Sequence, residues 1–156
     1  MAPTPYTVSR STEITAPADA VFGLVADFHE WTAWSPWERN DPDVERTYSG
    51  PDSGQGASYE WRGNRKAGAG GMTITEADRP GRVAIDLRFD KPFSSESTVV
   101  FTIVETESST TVDWTMAGHS TGFAKLFAKV VPMDKLIGKD FERGLRNLKE
   151  QAESGR

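Results

Sequence analysis

The chain has no cysteine, two histidines and no long apolar run. The absence of cysteine excludes a disulfide framework, thiol catalysis and cysteine-ligated zinc. Neither His29 nor His119 has a histidine or carboxylate at metal-ligand spacing, so we predict no metal site and no cofactor. No stretch approaches the roughly 18 consecutive apolar residues of a membrane span, and no secretory signal is visible. We therefore expect a cytoplasmic protein without stable membrane insertion.

The length and charge of the chain limit its architecture and its partners. The 156 residues are enough for one domain with a real core. We assign 1–156 to that domain, with a flexible tail at 1–4 and a frayed C-terminus at 152–156. The formal net charge of −5 argues against a nucleic-acid partner, which would require a basic face. We expect a monomer or a weak dimer.

Alternating apolar residues predict a first strand at 6–14 and a later run of short strands. The later strands are predicted at 44–48, 57–62, 72–76, 82–89, 97–105 and 110–117. Two segments separate them from the first strand: a helix that opens at 16–19, and a short helical turn or a loop at 28–34. The connections are short and predict an antiparallel meander, with a hairpin loop in the glycine-rich stretch 63–71.

The last third of the chain predicts a long amphipathic helix that starts at Thr121. The apolar residues Phe123, Phe127, Val130, Ile137, Leu145 and Leu148 lie within about 40° of Phe141 on a helix that turns 100° per residue. Such a stripe suits a helix that crosses a sheet. The fold class is therefore predicted as α+β, with a curved antiparallel sheet of six to seven strands around a long C-terminal helix.

Several stretches carry a family resemblance. The segments are Ile14 to Phe22 (ITAPADAVF), Trp34 to Glu38 (WSPWE), Tyr59 to Asn64 (YEWRGN) and Met133 to Glu142 (MDKLIGKDFE). In these segments the chain resembles the START-like (SRPBCC) superfamily with its helix-grip fold, and in particular the polyketide cyclase/dehydrase and lipid-transport-like branch. The resemblance implies a cavity for a hydrophobic ligand between sheet and helix. It leaves the activity open, because one fold serves many functions.

Alternation and helical periodicity select the residues predicted to contact such a ligand. They are Trp34, Trp37, Tyr59, Trp61, Met72, Ile74, Leu87, Phe101, Trp114, Met116, Phe123, Phe127, Gly138 and Phe141. For the tryptophans the alternative is a plug at the end of the core. Gly138 and Gly144 flank the helical stripe, where they either widen a cavity or allow close packing of the helix on the sheet.

Three hypotheses about function remain open. The first is binding of a small or medium hydrophobic molecule. The second is a cofactor-independent polyketide cyclase/dehydrase-like enzyme, for which Glu38, Asp134, Tyr59 and His119 are the candidate proton-transfer residues. Asp134 is alternatively an acid in the first turn of a helix that restarts after Pro132. The third hypothesis is a co-chaperone or stress-response interaction module, which would require an exposed apolar patch on the outer sheet face.

Arg10 shares the inward face of the first strand. A buried arginine needs an anionic partner, for which Asp134 or a ligand carboxylate is suitable. Alternatively, the strand lies near an edge and the guanidinium extends to solvent.

Overall fold

The computed structural model describes residues 4–35, 44–63, 68–91, 95–120 and 133–155. In this part of the chain a seven-stranded antiparallel sheet packs against helices. Its strands are β1 (Thr4–Ile14), β2 (Glu45–Ser49), β3 (Ser58–Arg62), β4 (Ala69–Asp78), β5 (Arg82–Lys91), β6 (Ser95–Glu105) and β7 (Thr110–Ser120). Helix α1 (Ala18–Val25) and a 3₁₀ helix (Glu30–Ala33) follow β1, and helix α2 (Met133–Gly155) ends the chain.

The strands lie in the order β1-β7-β6-β5-β4-β3-β2. Strands β2 to β7 form a meander of hairpins, and β1 pairs with β7, so α1 and the 3₁₀ helix lie in the connection from one edge of the sheet to the other. Helix α2 packs against β1, α1 and the 3₁₀ helix. This arrangement is the predicted START-like helix-grip fold.

Side-chain alternation assigned the two faces of the sheet correctly. The predicted inward residues of β6 and β7 are buried, and so are those of β5 except Phe89, which is half-buried. Asp86 and Arg88, predicted to point outward, are exposed. One expectation is wrong: the glycine-rich stretch 63–71 is not a hairpin loop throughout, because β4 begins at Ala69. Gly70 and Gly71 pair with Trp61 and Glu60 of β3 and thereby extend the strand.

Helix α1 begins after Pro17, whose extended backbone (φ −65°, ψ 151°) stops the helix from starting earlier. Ala18, Val21, Phe22 and Val25 form its buried face. At its C-terminus two indole N–H groups satisfy carbonyls that lack helical partners. Trp31 donates to the Val25 carbonyl over 2.8 Å and Trp34 to the Leu24 carbonyl over 2.9 Å. The tryptophans therefore fix the helix end to the 3₁₀ segment.

Helix α2 buries the stripe that the sequence predicted, at Phe141, Leu145 and Leu148, and continues to Gly155. Ala152 in its last turns is 7% exposed. The Glu153 carboxylate accepts the Thr15 N–H over 2.8 Å and a hydrogen bond from Lys149 Nζ over 2.7 Å. The bond from Lys149, followed by that from Thr15, lowers the pKa of Glu153. These bonds connect the end of α2 to the end of β1.

A glycine in α1 gives a stability prediction. A Cβ added at Gly23 would meet no atom within 4 Å, so Gly23→Ala should stabilise the protein by about 0.5–1 kcal/mol through helix propensity. Gly54 is the matched control, because it has the same open space but a φ of 80°. Gly54→Ala should therefore destabilise by about 1–2 kcal/mol. Urea unfolding of both variants checks this, and shifts of the same sign would contradict it.

None of the helices in the described ranges combines the length and the apolarity that a membrane crossing requires.

Candidate functional site

Five aromatic side chains pack together where β6 and β7 meet α2 and the 3₁₀ segment. The rings of Trp114 and Phe141 stack with centroids 4.0 Å apart and planes 8° apart, and Phe101 stacks on Trp114 at 5.0 Å. Trp31 and Trp34 meet the Trp114 ring edge-on at 6.3 and 5.5 Å. All five side chains are at most 4% exposed. We refer to Trp31, Trp34, Phe101, Trp114 and Phe141 as the aromatic core.

Trp34 is held in this core from two sides. Its indole N–H donates to Leu24 of α1, and its backbone carbonyl accepts a hydrogen bond from Asn147 Nδ2 of α2 over 3.2 Å. The side chain is 1% exposed. Trp34 is therefore fixed within the aromatic core.

A second set of aromatic side chains lines the same face of the sheet at its other edge. Tyr48, Tyr59, Trp61 and Phe89 form a continuous row across β2, β3 and β5, with successive ring centroids 5.2, 6.0 and 5.6 Å apart. Tyr59 is 9% exposed, and the other three are half-buried. We call these four residues the aromatic row. Unlike the aromatic core, the row retains accessible ring surface.

Strand register explains why these rings come together. Tyr48 lies directly opposite Tyr59 in the β2–β3 pair, and Trp61 lies opposite Arg46 on one side and Gly70 on the other. Because residues opposite each other share a face, Arg46 is on the helix-facing side with the row. Gly70 has no side chain, so the Trp61 ring can lie over its backbone: a Cβ there would be 2.8 Å from Trp61 Cη2.

A cleft of about 240 Å³ opens beside the row. Its walls are Phe28, His29, Tyr48, Ser49, Gly50, Pro51, Asp52, Ala57 and Ser58. The turn from β2 to β3 forms one wall and is anchored by the Gly54 N–H, which donates to the Ala26 carbonyl over 2.9 Å. The volume is below the roughly 300 Å³ of pockets that enclose a drug-sized ligand, so the cleft suits a small molecule or one part of a larger ligand.

Two side chains at this cleft form a pair. His29 Nδ1 lies 2.8 Å from Asp27 Oδ1, which also accepts the His29 backbone N–H over 2.9 Å. The imidazole stacks on the Tyr48 ring with centroids 4.1 Å apart. Neither His29 nor Asp27 was among the residues predicted for this site. The spacing Asp-x-His just before a helical turn was the available signal.

Arg10 of β1 lies directly against Gly138 of α2. Arg10 Nε forms an ion pair with Glu142 of α2 at 2.9 Å, so Glu142 is one anionic partner of Arg10. A Cβ at Gly138 would meet the Arg10 guanidinium, with Cζ at 2.6 Å. The glycine thus allows the arginine to cross under the helix. This contact is close packing of the helix on the sheet around a guanidinium that remains 26% exposed.

The predicted ligand residues divide between these regions. Trp34, Phe101, Trp114 and Phe141 belong to the aromatic core, and Tyr59 and Trp61 to the aromatic row. Met72, Ile74, Leu87 and Met116 are buried on the helix-facing side of the sheet. Other predicted positions lie outside the described residues, namely Trp37, Glu38, Phe123 and Phe127, together with the side chains of His119 and Asp134. The start of the helix at Thr121 lies outside them too.

Arg46 and Tyr48 were not among the predicted site residues. A strand was predicted at 44–48, but its side chains were not assigned to either face of the sheet. Arg46 and Tyr48 alternate along the strand with Glu45 and Thr47, which are exposed. This period of two was the signal that Arg46 and Tyr48 share one face.

The curved sheet, the long helix across it and the aromatic surface between them define a helix-grip protein of the START-like class. A family model described as polyketide cyclase/dehydrase and lipid transport matches residues 5–153, and the chain belongs to this family. No curated protein sequence matches the chain significantly.

Solved structures agree on the fold. Norcoclaurine synthase from Thalictrum flavum, in complex with dopamine and hydroxybenzaldehyde, is 10% identical with a TM-score of 0.72, covering 99% of this chain and 90% of its own. A START superfamily protein from Mycobacterium smegmatis is 16% identical with a TM-score of 0.64, covering 94% and 97%. The Aha1 dimer from Colwellia psychrerythraea is 17% identical with a TM-score of 0.61, covering 97% and 98%. At these identities the likeness concerns the fold alone.

Proposed function

We propose that the protein binds a small or medium hydrophobic molecule between the sheet and the C-terminal helix, with the aromatic row as its principal contact surface. A flat ring system suits this surface best. One observation carries the proposal: four aromatic side chains line the helix-facing side of the sheet in a continuous row, and three of them are only half-buried. Trp, Tyr and Phe faces supply large apolar contact area and stack on other rings.

Arg46 adds a polar element to the proposed ligand surface. It shares the helix-facing side with Trp61, directly across the β2–β3 pair. A guanidinium beside aromatic rings can pair with a carboxylate or a similar anionic group. A ligand that joins a flat apolar body to one acidic group would engage both features. The complex of norcoclaurine synthase, with two aromatic molecules, supports the proposal because the fold is the same.

Native mass spectrometry of the protein purified from its own cytosol tests the proposal. A bound hydrophobic molecule should give an additional mass in the native spectrum that disappears after denaturation. If the purified protein carries only its polypeptide mass, a calorimetric screen of flat aromatic compounds provides the second test. A lack of binding in both measurements would contradict the proposal.

A substitution in the aromatic row should weaken ligand binding. We expect Trp61→Ala to reduce the affinity for 2-naphthol about tenfold, roughly 1.4 kcal/mol, because the ring face that stacks on the ligand is lost. Isothermal titration calorimetry measures this. Glu60→Ala is the matched control, since Glu60 precedes Trp61 in β3 but lies exposed on the opposite face. Equal affinities of the two variants would contradict the assignment of the row.

The interaction-module hypothesis receives less support from the described residues. Among them Val104 of β6, at 52%, is the most exposed large hydrophobic side chain, and one such residue is too little for an apolar docking patch on the outer sheet face. We propose that the protein acts in the cytoplasm on a small molecule, as a monomer or a weak dimer. Size-exclusion chromatography with light scattering measures the oligomeric state.

A further inference from the structure

We propose that His29, positioned by Asp27, is a general base that removes a proton from a small carbon acid bound in the cleft beside the aromatic row. This inference rests on the proposed ligand binding and adds a chemical step to it. Its base differs from the four residues that the sequence suggested for proton transfer.

The contact with Asp27 determines which ring nitrogen of His29 can act. An ionised carboxylate accepts hydrogen bonds and cannot donate, so Nδ1, at 2.8 Å from Asp27 Oδ1, must carry a proton. In the neutral imidazole the lone pair is then on Nε2, on the far side of the ring. Asp27 thus selects the tautomer in which Nε2 is the base.

The ring orientation is fixed as well. The same Asp27 oxygen accepts the His29 backbone N–H, which holds the turn between α1 and the 3₁₀ helix. The imidazole stacks on Tyr48 with planes 20° apart. Tyr48 is a member of the aromatic row and also lines the cleft. A ligand in the cleft against the Tyr48 end of the row would therefore lie next to the His29 ring.

The surroundings of His29 suit proton transfer. The side chain is 47% exposed and lines the cleft, so a small molecule can reach it. When Nε2 takes a proton from a C–H next to a carbonyl, the C–H electron pair moves to form an enolate whose charge lies on the carbonyl oxygen.

The probe 5-nitrobenzisoxazole tests this step without knowledge of the natural substrate. A base removes the proton from C3, the C–H electron pair forms the nitrile, and the N–O bond breaks to release a coloured phenolate. Because the probe is flat and aromatic, it suits the aromatic row. We expect the wild-type protein to accelerate the elimination above the buffer rate with saturation. His29→Gln should remove about tenfold or more of that acceleration.

Asp27→Asn tests the positioning role and should also slow the reaction. Glu30→Gln is its matched control, since it neutralises an exposed carboxylate three residues away and should leave the rate unchanged. Heteronuclear NMR of the imidazole supplies a readout that a structural effect alone would not move. Wild-type His29 should carry its proton on Nδ1, and Asp27→Asn should shift the tautomer population towards Nε2–H.

Calorimetric binding of 2-naphthol separates this inference from the proposed function. His29→Gln should retain the binding while it loses the elimination, and Trp61→Ala should lose both. If His29→Gln eliminates the probe as fast as the wild type, the inference is wrong even where binding persists. If His119→Gln abolishes the reaction instead, the base is the other histidine and the inference is equally wrong.

Discussion

Replacement of Trp114 with alanine should destabilise the protein by about 3–5 kcal/mol, the range for deletion of a large buried aromatic side chain. A domain of this size is stable by only about 5–15 kcal/mol, so the loss removes a large share of the total. Chemical denaturation with urea measures it as a fall in the transition midpoint at an unchanged slope. The expected effect is the largest among the substitutions considered.

The magnitude follows from the position of Trp114 at the centre of the aromatic core. Its indole is 1% exposed and lies between Phe101 of β6 and Phe141 of α2, stacked on both. Trp31 and Trp34 contact it edge-on. Truncation would leave a void between the sheet, α2 and the 3₁₀ segment. Such a void collapses poorly when the surrounding elements are fixed by hydrogen bonds.

Trp114→Phe supplies the control and keeps the prediction testable if the alanine variant does not fold. Phenylalanine retains an aromatic ring for stacking on Phe141 and leaves a smaller void, so it should cost clearly less than alanine. A cost below about 1 kcal/mol for Trp114→Ala would mean that the aromatic core does not hold the helix on the sheet.

The fold was predictable because its periodicities are strong. Alternation over β5, β6 and β7 places one apolar side chain in every two on the helix-facing side, and the apolar stripe of α2 can only be buried against that face. The ends of strands were harder to predict where glycine occurs within a strand. Gly70 and Gly71 read as loop residues, although Gly70 is required in β4 by the close approach of Trp61 and of the Arg88 backbone.

The site was predictable only in part, because periodicity gives the face of a residue and not its depth. Trp61 and Trp114 both alternate inward, yet the first is half-buried in the aromatic row and the second is fully enclosed. The difference depends on α2, which packs on β1 at one edge of the sheet, and on the tryptophans of the 3₁₀ segment. The contacts of His29 with Tyr48 and of Arg10 with Glu142 join distant parts of the chain, which sequence spacing does not reveal.

Gly70→Ala should both destabilise the protein and weaken ligand binding at the aromatic row. A Cβ at this position would clash with the Arg88 carbonyl oxygen and lie 2.8 Å from Trp61 Cη2. The first contact is with backbone in β5 and cannot be relieved by rotation of a side chain. Overpacking of this kind costs about 1–3 kcal/mol. The second contact would displace the indole that we propose as a ligand surface.

Gly71→Ala is the matched control for the same chemical change one residue away. Its Cβ would point to the opposite face and meet the Arg88 guanidinium at 3.0 Å, the mobile end of a long exposed side chain. We expect a change in stability within about 0.5 kcal/mol and unaltered binding of 2-naphthol. The two variants should therefore differ in both urea unfolding and calorimetry. Similar stability and affinity in the two proteins would show that the position of the Trp61 ring does not depend on the glycine beneath it. The assignment of that ring as a ligand surface would then be contradicted as well.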